Sequence, residues 1–415
     1  MPTHPTKVAV FWFRRDLRLT DNVGLSYALQ SEYPVLPLFI FDSKILNELE
    51  SDDARVSFIH QNLHDIHESL QKQNSGLYVY HGNPEEVFAS ITQQFDVAEV
   101  YTNRDYEPYA IKRDVEIAEL LGKQNIALKS FKDQVIVEQS DVVKGDGKPY
   151  SVYTPFKNKW LQNIDLDSIE PVTIPEDANW FQHSGVFLSL SDIGFSKSKI
   201  KVKPYTLDHL KEYAKNRDLP AVDKTSYLSP HLRFGTIGIR TLFAKVKAHD
   251  VFVSELIWRE FFMQILYHFP EVVQHNFKRK YDGVDWENNE ADFKKWCAGE
   301  TGYPMVDAGM RQLNETGYMH NRVRMVTASF LCKHLLIDWR WGEAYFASKL
   351  LDYELSSNNG NWQWSAGTGC DSAPYFRVFN PIEQLKRFDP QHTYVNKWIP
   401  ELTNGSYVKP MVEHK

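Results

Sequence analysis

The stretch SELIWREFFMQILYHF, residues 254–269, repeats apolar side chains at spacings of three and four. Ile257, Phe261 and Ile265 form one stripe of a helix, while Glu255, Trp258 and Phe262 fall on another face. A helix with two apolar or aromatic faces is buried over most of its surface, so a large helical domain is expected around it. The segment HNRVRMVTASFLCKHLLIDWRW, residues 320–341, behaves in the same way. Val323, Val326 and Phe330 make its core stripe, and Asn321 and Met325 share a different face. After residue 200 strand signals nearly vanish.

Toward the N-terminus the pattern changes. Short apolar runs at 8–13 (VAVFWF), 34–41 (PVLPLFIF), 76–82 (GLYVYHG) and 98–103 (AEVYTN) have the look of strands covered on both faces. Helical segments separate them, the clearest being YEPYAIKRDVEIAELLGK (106–123), with Pro108 suited to a first turn and Gly122 to an end. Strands alternating with helices predict a parallel, Rossmann-like sheet with helices on both sides. Neither GxGxxG nor GxxxxGK[ST] follows the first strand, so no dinucleotide or nucleoside triphosphate is assigned there. The expected organisation is an α/β domain over 1–130, a long linker over 131–200 where the periodicity decays, and an all-α domain over 201–415.

Composition narrows the classes. With 415 residues and 42% hydrophobic content, the chain can bury a large core. The three cysteines, Cys297, Cys332 and Cys370, lack ligand or disulfide spacing, so no metal site is expected. No apolar run reaches membrane-spanning length and the N-terminus lacks the order of a secretory signal, which predicts a cytoplasmic protein without membrane contact. The net charge of −7 argues against indiscriminate coating of nucleic acid. The charge is uneven, with 19 basic against 29 acidic side chains in residues 1–200 and 28 against 25 in 201–415, so a local basic patch belongs to the second half.

One segment resists these patterns. NNGNWQWSAGTGCDSAPYFR, residues 358–377, mixes two tryptophans, three asparagines and three glycines, as neither an amphipathic helix nor a disordered linker would. It is expected as a loop that brings amides and rings to one place.

Together with FWFRRDLRLTDN (11–22), KTSYLSPHLRFG (224–235), ELIWREFF (255–262), TGYPMVDAGMRQLNETGYMHNRVRM (301–325), LLDYELSSNNGNWQW (350–364) and PYFRVFNP (374–381), that segment carries a resemblance. The chain resembles the photolyase/cryptochrome flavoproteins over nearly its whole length, and most of all the class I cyclobutane pyrimidine dimer photolyases. The resemblance implies an all-α C-terminal domain that holds FAD, active in its reduced form, and no metal. It implies a carbon–carbon lyase that repairs cyclobutane pyrimidine dimers in UV-damaged DNA by light-driven electron transfer to a flipped-out dimer, working as a monomer. The alternatives are a cryptochrome-type blue-light photoreceptor and a (6-4) photoproduct photolyase.

Site residues follow from the same match. Tyr213 and the segment Thr225, Ser226, Tyr227, Leu228 and Ser229 correspond to the lining of the FAD phosphates; hydroxyls and backbone N–H groups at a helix start suit a pyrophosphate. Phe252, the pair Arg324 and Asp352, Glu354 and Asn358 correspond to flavin neighbours, with Asn358 facing N5, where an amide can donate or accept. Glu255, Trp258, Asn321, Met325 and Trp364 match the lesion pocket. Trp362, Trp339 and Trp286 match an electron-transfer chain, and Arg217, Arg322 and Arg377 are nominated for DNA phosphates. Asparagine and methionine at 321 and 325 disfavour (6-4) repair, for which the family places histidine there. Tyr109 and Ala110 stand where folate-binding members carry an Asn-Glu pair. Folate is therefore disfavoured as a second, antenna chromophore, whose identity stays open.

Overall fold

A computed structural model describes residues 6–175, 177–372, 378–405 and 407–412. The chain divides into two compact units, one of residues 1–141, 161–203 and 228–248, the other of 142–160, 204–227 and 249–415. The stretch 131–200, expected as a connector, is thus shared out between them, and residues 228–248 belong with the α/β unit. Periodicity reports whether a segment is buried, not which core buries it.

In the first unit five parallel strands form one sheet: β1 (Val8–Phe13), β2 (Val35–Asp42), β3 (Tyr78–Gly82), β4 (Val97–Asn103) and β5 (Ala127–Phe131), in the order β3-β2-β1-β4-β5. All residues of β1 and β2 are buried, as continuous apolar runs require when helices cover both faces. The helix Pro108–Gly122 begins with its proline in the first turn. The fifth strand was not expected from the sequence. It is an edge strand, mostly exposed, and ALKSF carries no continuous apolar run.

Strand order reverses between β1 and β4, and at their carboxyl ends such sheets leave a crevice. Ion pairs gather around the segments that follow these strands. Arg18 donates to Asp133 at 2.5 Å, Arg240 donates to Asp133 at 2.6 Å and to Asp21 at 2.7 Å, and Arg15 meets Asp105 and Glu107 at 3.1 and 2.9 Å.

The second unit is helical. One core gathers Trp296, Trp339 and Trp362 with Val323, Val326 and Phe330, all buried, and Trp286 packs against it. The core stripe of Asn321–Lys333 is therefore as the spacing predicts. The NNGNWQW stretch is not a loop: Leu355–Ala366 is a helix, capped by Glu354 and stopped at Gly367, whose φ of +86° suits glycine. A helix buried on nearly every side needs no amphipathic pattern, which is why the sequence did not announce it.

Candidate FAD and lesion site

The helix Asp250–His268 carries Glu255, Trp258 and Phe262 along one face, as expected. Trp258 meets two rings. Tyr153 stacks on it at 3.5 Å and 8°, and Phe262 lies at 5.6 Å and 26°. Tyr153 is pinned by its hydroxyl on Ser254 O at 2.7 Å and by its backbone N–H on Asp371 at 3.2 Å. Lys157, one turn on, reaches Ser254 Oγ at 2.6 Å. Sequence reasoning missed Tyr153 because SVYTPF lies in the stretch taken for a connector; an aromatic opening a helix there was the available signal.

Glu255 meets Arg217 at 2.6 Å, both side chains part-exposed. Burial pushes the Glu255 carboxyl above the usual glutamate value, against the opposing pull of Arg217. Tyr213 is edge-on to Phe252 at 4.9 Å and lies beneath the Arg217 guanidinium at 5.6 Å. Burial, with Glu255 nearby, raises its phenol to about 12. Arg217 thus contacts both Tyr213 and Glu255, and its guanidinium is engaged rather than standing free for a phosphate.

Two glycines let the helices close on this cluster. A Cβ at Gly360 would lie 2.1 Å from the Phe262 ring, and one at Gly342 would lie 2.1 Å from Trp362. Gly360 therefore seats the helix Leu355–Ala366 directly on the helix that carries Trp258. Two residues earlier, Asn358 donates its amide to Glu343 Oε1 at 2.8 Å and Glu343 O at 3.1 Å. Burial raises the Glu343 carboxyl above its usual value, and the Asn358 bond opposes this. With its N–H₂ engaged, Asn358 has a carbonyl oxygen to offer, the acceptor that a protonated flavin N5 requires.

Arg324 holds Asp352 at 2.9 Å and is itself fixed by its Nε on Met319 O at 2.8 Å. Glu354 turns back on its own helix, accepting from Ser356 Oγ at 2.5 Å and Ser357 N at 3.1 Å. It is a helix cap first, whatever else it meets. Tyr227 adopts φ +53°, rare for a bulky residue, bonds Asp223 through its hydroxyl, and lies edge-on to Tyr318 at 5.2 Å. Leu228 is buried, and Ser229 opens a helix of five residues; both belong to the first unit.

Asn321 opens its helix exposed, with Met325 half-buried one turn later. His320 caps that helix by accepting from Arg322 N at 3.2 Å, and burial lowers its pKa to about 4, so it stays neutral at neutral pH. Arg322 pairs with Asp218 at 2.8 Å and lies 4.3 Å above the Phe388 ring. Trp364 is half-buried, 6.2 Å from Phe379. Arg377 lies outside the described residues. Among the expected electron carriers, Trp339 is buried with its N–H on Asn276 at 2.9 Å.

An α/β unit and a helical unit with stacked rings and an anchored amide define a class, that of two-unit proteins with a parallel sheet and a separate helical core. The particular family follows from comparison. A family profile described as the FAD binding domain of DNA photolyase matches residues 252–414, and one described as DNA photolyase matches residues 9–176. The chain is 38% identical to the deoxyribodipyrimidine photo-lyase of Halobacterium salinarum, over 95% of this chain and 89% of that protein. It is similar to the crystal structure of a class III photolyase from Agrobacterium tumefaciens, with TM-score 0.89, 33% identity, and 99% and 95% of the two chains covered. A photolyase from Sulfolobus tokodaii, solved with two FAD molecules, matches with TM-score 0.88 and 36% identity over 98% and 96%. The chain belongs to the DNA photolyase family, and its helical unit carries that family's FAD-binding domain. No helix among the described residues is long and apolar enough to cross a membrane.

Proposed function

We propose that the protein splits cyclobutane pyrimidine dimers in UV-damaged DNA in a light-dependent reaction, acting as a monomer in the cytoplasm. Reduced FAD, when bound and excited, supplies one electron to the dimer and takes it back once the ring has opened. The protein's part is to receive, orient and dry the lesion. The observation that carries this reading is the seating of Gly360 on Phe262, which sets the helix of Asn358 and Trp362 against the helix of Trp258 and Glu255.

Photolyases are among the enzymes that flip a base out of the stack, and a damaged pair costs only a few kcal/mol to extrude. Trp258, with Tyr153 stacked on it and Phe262 beside it, belongs to an apolar wall for the flipped bases. Glu255, raised by burial, is suited to accept from base N–H groups or to hold a proton near the developing anion. Trp364, Asn321 and Met325 complete the wall in this reading. Arg322, Arg377 and Lys157 are the cations assigned to the DNA backbone. Arg217 instead holds Glu255.

For a second chromophore, the Tyr109 hydroxyl is bonded to Asp42 at 2.5 Å and Ala110 is buried, so neither offers folate the carboxylate and amide that the Asn-Glu pair would. Folate is therefore disfavoured as the antenna in this reading. The test is direct. Purified protein, chemically reduced and mixed with dimer-containing DNA, should remove dimers under near-UV light and not in the dark. Equal dimer content in both arms would overturn the proposal.

A further inference from the structure

We propose that residues 179–188 are an acid-released strap on the α/β unit: protonation of His67 and His183 lifts them from the edge of the sheet at β3.

β3 is the outermost strand on its side, so one row of its backbone groups has no neighbouring strand. The strap takes that row. Val79 donates to Val186 O at 2.7 Å and Val186 donates to Leu77 O at 3.2 Å. At the start of β2, Val35 donates to Asn179 O and Phe181 donates to Val35 O, each at 2.8 Å. The seat is tight. A Cβ at Gly76 would lie 2.1 Å from Ser184 O, and one at Gly185, whose φ is +77°, would lie 2.5 Å from Leu77 O. Only glycine lets the two backbones come so near.

Histidines hold this seat. Around the Phe187 ring stand His60 at 5.2 Å, His64 at 5.7 Å and His67 at 5.1 Å, all from the helix Ala54–Gln71. His60 Nε2 lies 2.9 Å from Leu188 O. A carbonyl only accepts, so that nitrogen carries a hydrogen, and the bond survives protonation of the ring. His67 and His183 are the reverse case. The Leu77 N–H donates to His67 Nδ1 at 3.1 Å, and the Gly185 N–H donates to His183 Nδ1 at 2.9 Å. An imidazolium is a donor at both nitrogens, so a proton on either ring removes the acceptor and sets two N–H groups against each other. Leu77 is tied to His67 through its N–H and to the strap through its carbonyl, and Gly185 turns the strap beside that same carbonyl. Loss of the two histidine bonds therefore loosens both sides of one contact.

The surrounding charges leave the response to these rings. Burial lowers His67 below the ordinary histidine value; His64 adds to the fall and Glu68 opposes it, both from its own helix. β3 carries the exposed His81 and two phenols, Tyr78 and Tyr80, which burial raises, Tyr78 to about 12, so that both stay neutral. Within the strap His183 is the titratable side chain, 5.1 Å from the Tyr78 ring and 6.2 Å from that of Phe181. Asp192, beyond the strap, is occupied by the N–H and hydroxyl of Ser189 at 2.8 and 2.7 Å. A depressed histidine contributes its stability above the unfolded value and loses it as pH falls through the folded value. The strap is thus held at neutral pH and freed below the ordinary histidine range, which leaves Val79 N–H and Leu77 O to water.

The experiment is hydrogen exchange of the full chain, followed by mass spectrometry from about pH 8 to about pH 5, the span over which histidine changes charge, and corrected for the chemical exchange rate at each pH. Peptides that contain Val79 and Val186 should lose protection about tenfold or more relative to β1, the scale of one or two hydrogen bonds. The double variant His67→Asn, His183→Asn keeps a side-chain oxygen that can accept the same N–H bonds but does not titrate, so its strap should stay protected across the span. Constant protection of the wild-type strap overturns the proposal, as does a loss shared equally by β1, which is global unfolding. A folded double variant that loses as much protection in acid as wild type overturns it too. Should the double variant fail to fold, the wild-type comparison with β1 decides alone.

Discussion

Two clusters of this molecule treat charge in opposite ways. After β1, Asp133 accepts from Arg18 and Arg240, and Asp105 lies among arginines, so both carboxyls are held below their usual range despite burial. In the helical unit, Glu255 and Glu343 are raised, because burial outweighs one guanidinium in the first case and one amide in the second. Matched charges saturate one another and leave a rigid, closed corner. Carboxyls left short of partners, next to stacked rings, are poised to respond to a ligand or a proton.

The largest effect expected from that contrast is at Asp133. Asp133→Ala leaves two arginines buried without their shared partner, and the loss should be about 3–5 kcal/mol. Urea unfolding of the two proteins measures it. A loss below about 1 kcal/mol would mean that water or rearrangement satisfies the arginines, and that the corner is not closed.

Trp258→Ala comes next, in the responsive cluster. It should weaken binding of dimer-containing DNA by about 1–3 kcal/mol while FAD stays bound. Since Tyr153 stacks on the indole, affinity equal to wild type would show that Tyr153, and not Trp258, forms the platform. Filter binding with flavin absorbance on the same samples separates the outcomes.

The smallest effect concerns pH. A raised carboxyl stabilises the fold fully below its unfolded value, and the contribution is lost as pH rises through the folded value; a depressed one behaves in reverse. Going up from the ordinary glutamate range, Glu343 therefore withdraws stability. Asp133 and Asp105 withdraw theirs only as pH falls below the ordinary aspartate range. Asn358→Asp sets a second carboxyl where an amide now donates to Glu343 at 2.8 Å, so the pair should share a proton. The variant should be less stable than wild type at neutral pH and recover on mild acidification. A constant difference between the two proteins across that range would show that Glu343 does not titrate with residue 358.

Much of this was legible from residues alone. Four of the five strands, the proline-started helix at 108 and the core stripes of 257, 261, 265 and of 323, 326, 330 follow from periodicity, because burial imposes the repeat of the element on the side chains. The motif matches supplied the family and its cofactor, and they nominated Glu255, Trp258 and Asn358 for the site. Periodicity failed where its premise fails. β5 is an exposed edge with no repeat to impose, and Leu355–Ala366 is covered on nearly every side.

Partners were decided by tertiary structure. That Arg217 would hold Glu255, that Tyr153 would lie on Trp258, that Glu354 would cap its own helix and that Glu343 would anchor Asn358 depends on residues 2 to 105 positions apart. Sequence specifies which side chains must leave water, since that preference is local to each residue. Which of them then meet is set by the packing of whole helices, through contacts as specific as a glycine with no Cβ beneath a phenylalanine ring.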